Sequence, residues 1–378
     1  MNHPTPNHSD EPKKLPVGIV YWAILAATVF LLLLTVLCLL IGLALGLESE
    51  SSTGLPSGGK PPVTDQGGAN QPSGKPNQPS SGNNKVLYPT TETRNSYLFG
   101  TEADAASISG ISSQHAILVS LDSYTAVAQK NADARIYPAS MFKVMSLLVA
   151  CERVTSLSEK VTVTAEVAQY AQDTGGSGVG LKVGEELTIK DLLYLTSYYS
   201  DTIAVISLAQ HLAGDEATFV GWMNQKAQAL GLTNTSFANC TGLHDPNNYT
   251  TCREMATIMA YALENALCRQ LLTSYTGYAI ENNIRKAEDK TSLMIYSGWY
   301  SQRFKDNPKV NKNVTVKGGK TGYEDIPSST FVTYATDAAG KEYICVVVGR
   351  SMDPTNQAKV TNLQSTNDTK AIYKTYVK

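Results

Sequence analysis

The stretch Pro138-Ala139-Ser140-Met141-Phe142-Lys143, running straight into Val144-Met145-Ser146-Leu147-Leu148-Val149, decides how this chain is read. An apolar run free of Gly and Pro predicts a helix over residues 140–153, with Val144, Leu147, Leu148 and Cys151 as a stripe at helical spacing. Residues three apart on a helix share one face, so the Lys143 amine can reach back to the Ser140 hydroxyl. A serine hydroxyl is a poor nucleophile until a neighbour takes its proton. Lysine can do this only where burial and nearby cations lower its pKa. Ser-x-x-Lys also occurs on solvated helix faces, so its company has to decide.

Far downstream, Val314-Thr315-Val316-Lys317-Gly318-Gly319 leads into Lys320-Thr321-Gly322. A strand edge bearing Lys and Thr offers a cation and a hydroxyl to a carboxylate, and glycine lets a ligand backbone approach closely. The amide of Tyr323 can join that of Ser140 in holding a developing oxyanion. Between the two segments stands Ser200-Asp201-Thr202, after Asp191-Leu192-Leu193-Tyr194 and before Ile203-Ala204. Its blandest reading is a helix N-cap.

With 378 residues, 42% hydrophobic content and a net charge of −2, the chain can bury a sizeable core and carries no bias towards polyanions. Nucleic acid is therefore not expected as a partner. Residues 17–47 hold no charged side chain, a run longer than the ~20 residues that cross a bilayer. A secretory signal has a shorter apolar region of ~7–15 residues, so the run reads as an uncleaved anchor, although Ala44-Leu45-Gly46 offers small residues at alternate positions. Lys13 and Lys14 precede it and Glu48 and Glu50 follow, which assigns residues 1–16 to the cytoplasm and the remainder to the outside of the cell. Residues 48–85, rich in Gly, Ser, Pro and Asn, read as a disordered tether with a reach of roughly 35 Å. Residues 86–378 form the catalytic-domain candidate. Of six cysteines, Cys38 falls in the anchor; Cys240 and Cys252 could bridge, or all five others could be buried thiols. No metal-ligand spacing is present, so neither metal nor cofactor is expected.

Strands are predicted at residues 115–121 and 124–129 around an Asp122-Ser123 turn, and later at 314–317, 330–335 and 343–348. Helices are predicted at 188–197, 203–213, 215–230, 252–263 and 366–377. An early hairpin, helices in the middle and strands at the end imply an α+β fold whose antiparallel sheet is closed by distant segments.

The three segments in this order resemble the Ser-x-x-Lys, Ser-x-Asn, Lys-Thr-Gly signature of penicillin-binding proteins and serine β-lactamases. Pro138-Ala139-Ser140, Gly184-Glu185-Glu186, Thr241-Gly242-Leu243-His244-Asp245-Pro246 and Gly319-Lys320-Thr321-Gly322-Tyr323 are most similar to low-molecular-mass D-alanyl-D-alanine carboxypeptidases, over about residues 113–350. That resemblance implies a DD-peptidase/β-lactamase-like fold, an antiparallel sheet flanked by helices with an all-helical subdomain, here preceded by one transmembrane helix. It implies peptidoglycan stem peptides as substrate and β-lactams as covalent inhibitors. It also implies Ser140 as nucleophile, Lys143 as base and Ser200 as proton relay, with Thr202, Lys320, Thr321, Gly322 and Tyr323 binding substrate. Two departures stand out. Thr202 replaces the family's Asn and lacks an amide's carbonyl and NH₂. The additional C-terminal β-domain and terminal amphipathic anchor of many members are not evident here, so the N-terminal span is expected to replace that anchor.

Two rival readings remain. A β-lactamase-like hydrolase needs a water-activating Glu-x-x-Leu-Asn loop, and the nearest match, Glu264-Asn265-Ala266-Leu267-Cys268, reads as the continuation of a helix. A non-catalytic peptidoglycan-binding homologue would keep the groove without turnover.

Overall fold

The computed structural model describes residue 99 and residues 105–324, 328–349 and 363–378. The expected tail, anchor and linker (1–16, 17–47, 48–85) lie outside the described residues, as does Cys38. No described helix is long and apolar enough to cross a membrane.

Along the chain, β1 (Ala106–Ser107), β2 (His115–Ser120) and β3 (Thr125–Lys130) precede a 3₁₀ turn over Ala139–Phe142 and helix α1 (Lys143–Cys151). Next come β4 (Lys160–Thr162), α2 (Ala165–Asp173), β5 (Glu186–Thr188), α3 (Ile189–Tyr194), a π-turn over Leu195–Tyr199, α4 (Thr202–Ala213) and α5 (Glu216–Ala229). Helices α6 (Cys252–Glu264) and α7 (Ala266–Thr273) lead to the ribbon of β6 (Tyr278–Ile280) and β7 (Leu293–Ile295) and to a second π-turn over Trp299–Arg303. The chain closes with β8 (Val314–Glu324), β9 (Ser328–Asp337), β10 (Glu342–Val348) and α8 (Gln364–Tyr376).

The main sheet has six strands in the order β1-β3-β2-β10-β9-β8. Its centre joins the early hairpin to the last strand, antiparallel, with Leu118 opposite Cys345 and Ala116 opposite Val347. Both strands are apolar on both faces because both faces are covered. One face meets the helical layer around α1, where Phe142, Val144 and Leu148 join Ile117 and Val346. The other face meets α8, whose Ile372 and Tyr373 pack with Leu118, Phe331 and Cys345. The sheet is not wholly antiparallel as expected, since the two-residue edge strand β1 runs parallel to β3.

Several expectations need correction. The helix predicted over residues 140–153 starts as a 3₁₀ turn and ends at Cys151, and all its α-helical residues are buried instead of one stripe. It runs through the middle of the helical layer, against α4, α5 and α6, so no face meets water. Helix α2 was not anticipated: Val167 is its one buried residue, and Thr164 starts it by accepting from the Val167 amide at 3.2 Å. Glu264–Cys268 does not continue one helix. Asn265 leaves the helical conformation and caps α7 by accepting from the Cys268 amide at 3.0 Å. Strand β8 extends beyond residue 317 through Lys320-Thr321-Gly322 because its glycine-rich half stays paired with β9 past a bulge between Val316 and Gly318. Cys151, Cys240, Cys252, Cys268 and Cys345 are free and buried, so the Cys240–Cys252 bridge does not form.

Candidate active site

The nucleophile candidate sits on a strained turn. Ala139 has φ of +51°, a left-handed conformation that costs a residue with a Cβ, and Ser140 follows it at the start of the tight helix. The turn is held from the sheet side, where Thr330 donates its hydroxyl to the Pro138 carbonyl at 3.1 Å. Lys143 begins α1, is 1% exposed, and places Nζ 3.1 Å from Ser140 Oγ. Nζ also donates to the Thr241 carbonyl at 2.5 Å, which aims the amine at the serine from the opposite side. The expected reach of lysine to serine is thus present in a nearly dry setting.

Edge strand β8 faces this turn. Gly322 lies so close that a Cβ there would stand 3.0 Å from the Ser140 nitrogen and 3.1 Å from the Ala139 Cβ, so only glycine lets the strand and the nucleophile turn touch. Two residues earlier, Lys320 is buried and donates to Ser200 Oγ at 3.0 Å and to the Thr321 carbonyl at 2.9 Å. Burial holds its pKa well below the usual lysine value, and the charges of Lys143 and Arg303 press in the same direction.

The middle segment arrives by way of the π-turn. The wide turn ends at Ser200, whose φ of +59° breaks the helix and turns its hydroxyl towards Lys320. Asp201 then starts α4 as its N-cap, accepting from the Ala204 amide at 2.9 Å. Both readings of the tripeptide hold in part: Ser200 faces the site and Asp201 caps.

Thr202 does not fit the expected role. It is fully buried, it is not among the cleft-lining residues, and its hydroxyl makes no hydrogen bond. As the first residue of α4 it points beneath the loop between α2 and β5, where a Cβ on Gly176 would lie 2.6 Å from Thr202 Oγ1. Its amide donates to the Ser177 carbonyl at 2.8 Å. In this conformation Thr202 supports the loop.

Ser140, Ser200, Thr321, Gly322, Tyr323 and Arg303 line an open cleft of about 500 Å³, and the buried Lys143 and Lys320 reach it through their contacts with Ser140 and Ser200. The model of the D-alanyl-D-alanine carboxypeptidase family, peptidase S11, matches residues 101–352. This chain belongs to that family. Among curated relatives of this S11 chain, D-alanyl-D-alanine carboxypeptidase DacF of Bacillus subtilis is 32% identical over 248 residues, covering 66% of this chain and 60% of the relative. DacC of Escherichia coli is 31% identical over 243 residues, covering 63% and 56%. The S11 chain therefore spans only about 60% of the first of these relatives. In fold it is similar to the Streptomyces K15 DD-transpeptidase, with a TM-score of 0.60 at 23% identity, covering 70% of this chain and 97% of that one. The α+β architecture, with its helical layer, agrees with that likeness.

Two site residues of the S11 chain escaped the sequence reading. Arg303, 9% exposed at the end of the second π-turn, lines the cleft and donates to Ser329 Oγ at 3.4 Å, leaving much of its guanidinium for a ligand. Burial lowers its pKa from the ordinary arginine value. Nothing local marks it, because its place in the cleft comes from a turn preceding β8. Asp201 is fully buried, and its Oδ2 accepts from the Val179 amide at 2.8 Å, tying the loop that carries Ser177 to the cleft floor. Burial raises its pKa, against the amides of Ala204 and Val179 and the nearby Lys143 charge.

Of Tyr194, Tyr198 and Tyr199, which follow one another closely before Ser200, the last two line the cleft. Tyr194 instead stacks on Tyr278 at 4.0 Å between ring centroids. His244 packs edge-on against Tyr137 at 4.6 Å, and His211 pairs with Glu159 at 3.1 Å, so neither reaches the cleft.

Proposed function

We propose that this chain is a serine-type D-Ala-D-Ala carboxypeptidase that trims peptidoglycan stem peptides through an acyl-enzyme on Ser140. The observation that carries the reading is the pairing of two amine–hydroxyl contacts across one cleft, Lys143 with Ser140 at 3.1 Å and Lys320 with Ser200 at 3.0 Å. Family membership supports it.

Lys143, once neutral, takes the Ser140 proton as the hydroxyl oxygen attacks the carbonyl of the penultimate D-alanine. The amides of Ser140 and Tyr323 receive the oxyanion. As the intermediate collapses, the proton on Lys143 passes through Ser200 to the departing nitrogen of the terminal D-alanine, which leaves Lys143 neutral again. Lys320, Thr321 and Arg303 hold that residue's carboxylate. Water then attacks the ester, Lys143 taking its proton and returning it to Ser140 Oγ as the acyl–oxygen bond breaks. β-Lactams enter by the same acylation and leave slowly.

Glu264–Cys268, the segment a β-lactamase-like reading would need, joins two helices and is not among the residues lining the cleft. Residues 17–47 are proposed to anchor the catalytic domain at the outer face of the cell membrane, which fractionation of the full-length chain tests.

Incubation with a labelled penicillin is the deciding experiment, read beside D-alanine release from a pentapeptide. A stable adduct on wild type, absent from Ser140→Ala, and steady D-alanine release are the expected results. No adduct on wild type, or one that survives Ser140→Ala, ends the acyl-enzyme reading, and rapid drug turnover replaces it with a β-lactamase.

A further inference from the structure

Beside the cleft, residues 274–280 and 291–302 contain no charged side chain in a chain that is 17% charged, and they carry Tyr275, Tyr278, Met294, Tyr296, Trp299 and Tyr300. The two stretches form the β6–β7 ribbon and the second π-turn. Tyr278 pairs with Ile295 and Ile280 with Leu293, so these side chains turn to the core while Ala279, Met294 and Tyr296 turn outward.

The outward rings are firmly seated. A Cβ on Gly277 would stand 3.0 Å from the Tyr296 ring and 2.8 Å from Met294 Sδ, so the bare glycine lets the ring lie against the backbone while Tyr296 remains 53% exposed. Tyr275, 50% exposed, stacks on Tyr300 at 4.5 Å and 26° and meets the buried Trp299 edge-on at 6.4 Å. Trp299 in turn leans on Phe304, which reaches Phe331 of the sheet. Exposed aromatic rings fixed from behind, in two stretches that carry no charged side chain of their own, mark a binding face.

That face is continuous with the cleft. Gly298 and Gln302, between and beyond Tyr296 and Tyr300, line the cleft, and Gly298 lies against the Tyr198 carbonyl. A ligand whose end occupies the cleft would continue over these rings.

We propose that Tyr275, Tyr296 and Met294 form a platform for the sugar strand to which the stem peptide is attached. This rests on the substrate reading above. Pyranose rings present flat C–H faces that stack on tyrosine, and a tyrosine hydroxyl can bond their polar edges. Aromatic stretches without charged side chains of their own suit a polymer whose backbone carries hydroxyl and acetamido groups.

The test compares full-length wild type with the Tyr275→Ala/Tyr296→Ala pair, using the Tyr275→Phe/Tyr296→Phe pair to keep the stacking, with near-UV circular dichroism to confirm folding. The probes are peptide-free glycan strands in a sedimentation binding assay, and D-alanine release from a free pentapeptide and from intact polymeric peptidoglycan. The expected result for the alanine pair is glycan binding weakened by about tenfold, with a matching rise in KM on the polymer, unchanged turnover of the free pentapeptide, and rescue in the phenylalanine pair. Equal glycan binding by wild type and the alanine pair, or no binding by wild type, overturns the platform. So does loss of binding to anionic phospholipid vesicles in its place. If wild type binds glycan strands through these rings yet forms no penicillin adduct and releases no D-alanine, the catalytic reading fails and the platform stands.

Discussion

Gly322 shows how tightly single residues are set in this molecule. With the Ser140 nitrogen 3.0 Å from where a Cβ would stand, and Thr330 Oγ1 nearer still, Gly322→Ala must push the β8 edge away from the nucleophile turn. The expected loss is ~1–3 kcal/mol of stability and on the order of 100-fold in the rate of penicillin acylation, read by denaturant titration and stopped flow. Lys320 gives the opposite balance. Its pKa is held below the lysine value of 10.5, so the unfolded chain binds the proton that the folded chain gives up, and stability rises as pH climbs from the folded pKa towards 10.5. Lys320→Met is expected to remove that slope and to stabilise the fold at neutral pH by ~1–3 kcal/mol while abolishing D-alanine release. Thermal melts across pH check it, and a variant less stable than wild type at pH 7 refutes it. Ser140, Lys143 and Lys320 were legible because chemistry and spacing coincide in short segments. Arg303 was not, since only the fold brings it to the cleft, and Thr202 misled because a tripeptide does not reveal which way its last side chain turns at the start of a helix.

Elements differ in how openly the sequence announces them. Strands β2 and β10 were legible as unbroken apolar runs. The π-turn before Ser200 was not, because one extra residue in a helical turn changes no composition and leaves the apolar pattern continuous from α3. The break between α6 and α7 was hidden for a similar reason. Asn265 is buried there, and its side chain takes the place of a missing helical partner for the Cys268 amide. Asn265→Ala is expected to cost about 1–2 kcal/mol in chemical denaturation, while Asn265→Asp keeps the acceptor and recovers part of it. Equal stability of the alanine variant would mean that the junction is set by packing alone.

At the scale of the molecule, the α+β class followed from the order of apolar patterns, but the strand order did not, because periodicity says which face is buried and not which strand lies alongside. The early hairpin finds its partner in β10, more than two hundred residues later, and α8 covers the resulting sheet. Tyr373 on α8 is fully buried, with its hydroxyl 2.9 Å from Thr333 Oγ1. Tyr373→Ala is expected to cost ~3–5 kcal/mol and Tyr373→Phe only about 1 kcal/mol, measured by urea unfolding. A tolerant response to the alanine change would show that the sheet is complete without this helix. Such distant pairing also predicts slow folding, since segments far apart in the sequence must meet before the centre of the sheet gains anything.

The five sulfhydryls enclosed in this domain make it its own reporter. All are shielded from solvent, and burial raises the pKa of Cys151, Cys240, Cys252 and Cys345, so a bulky maleimide finds little to attack while the structure stays shut. In a Cys38→Ser background, the pace of alkylation therefore counts openings of the interior, and a slower pace after drug acylation would measure how far a covalent guest quiets that breathing.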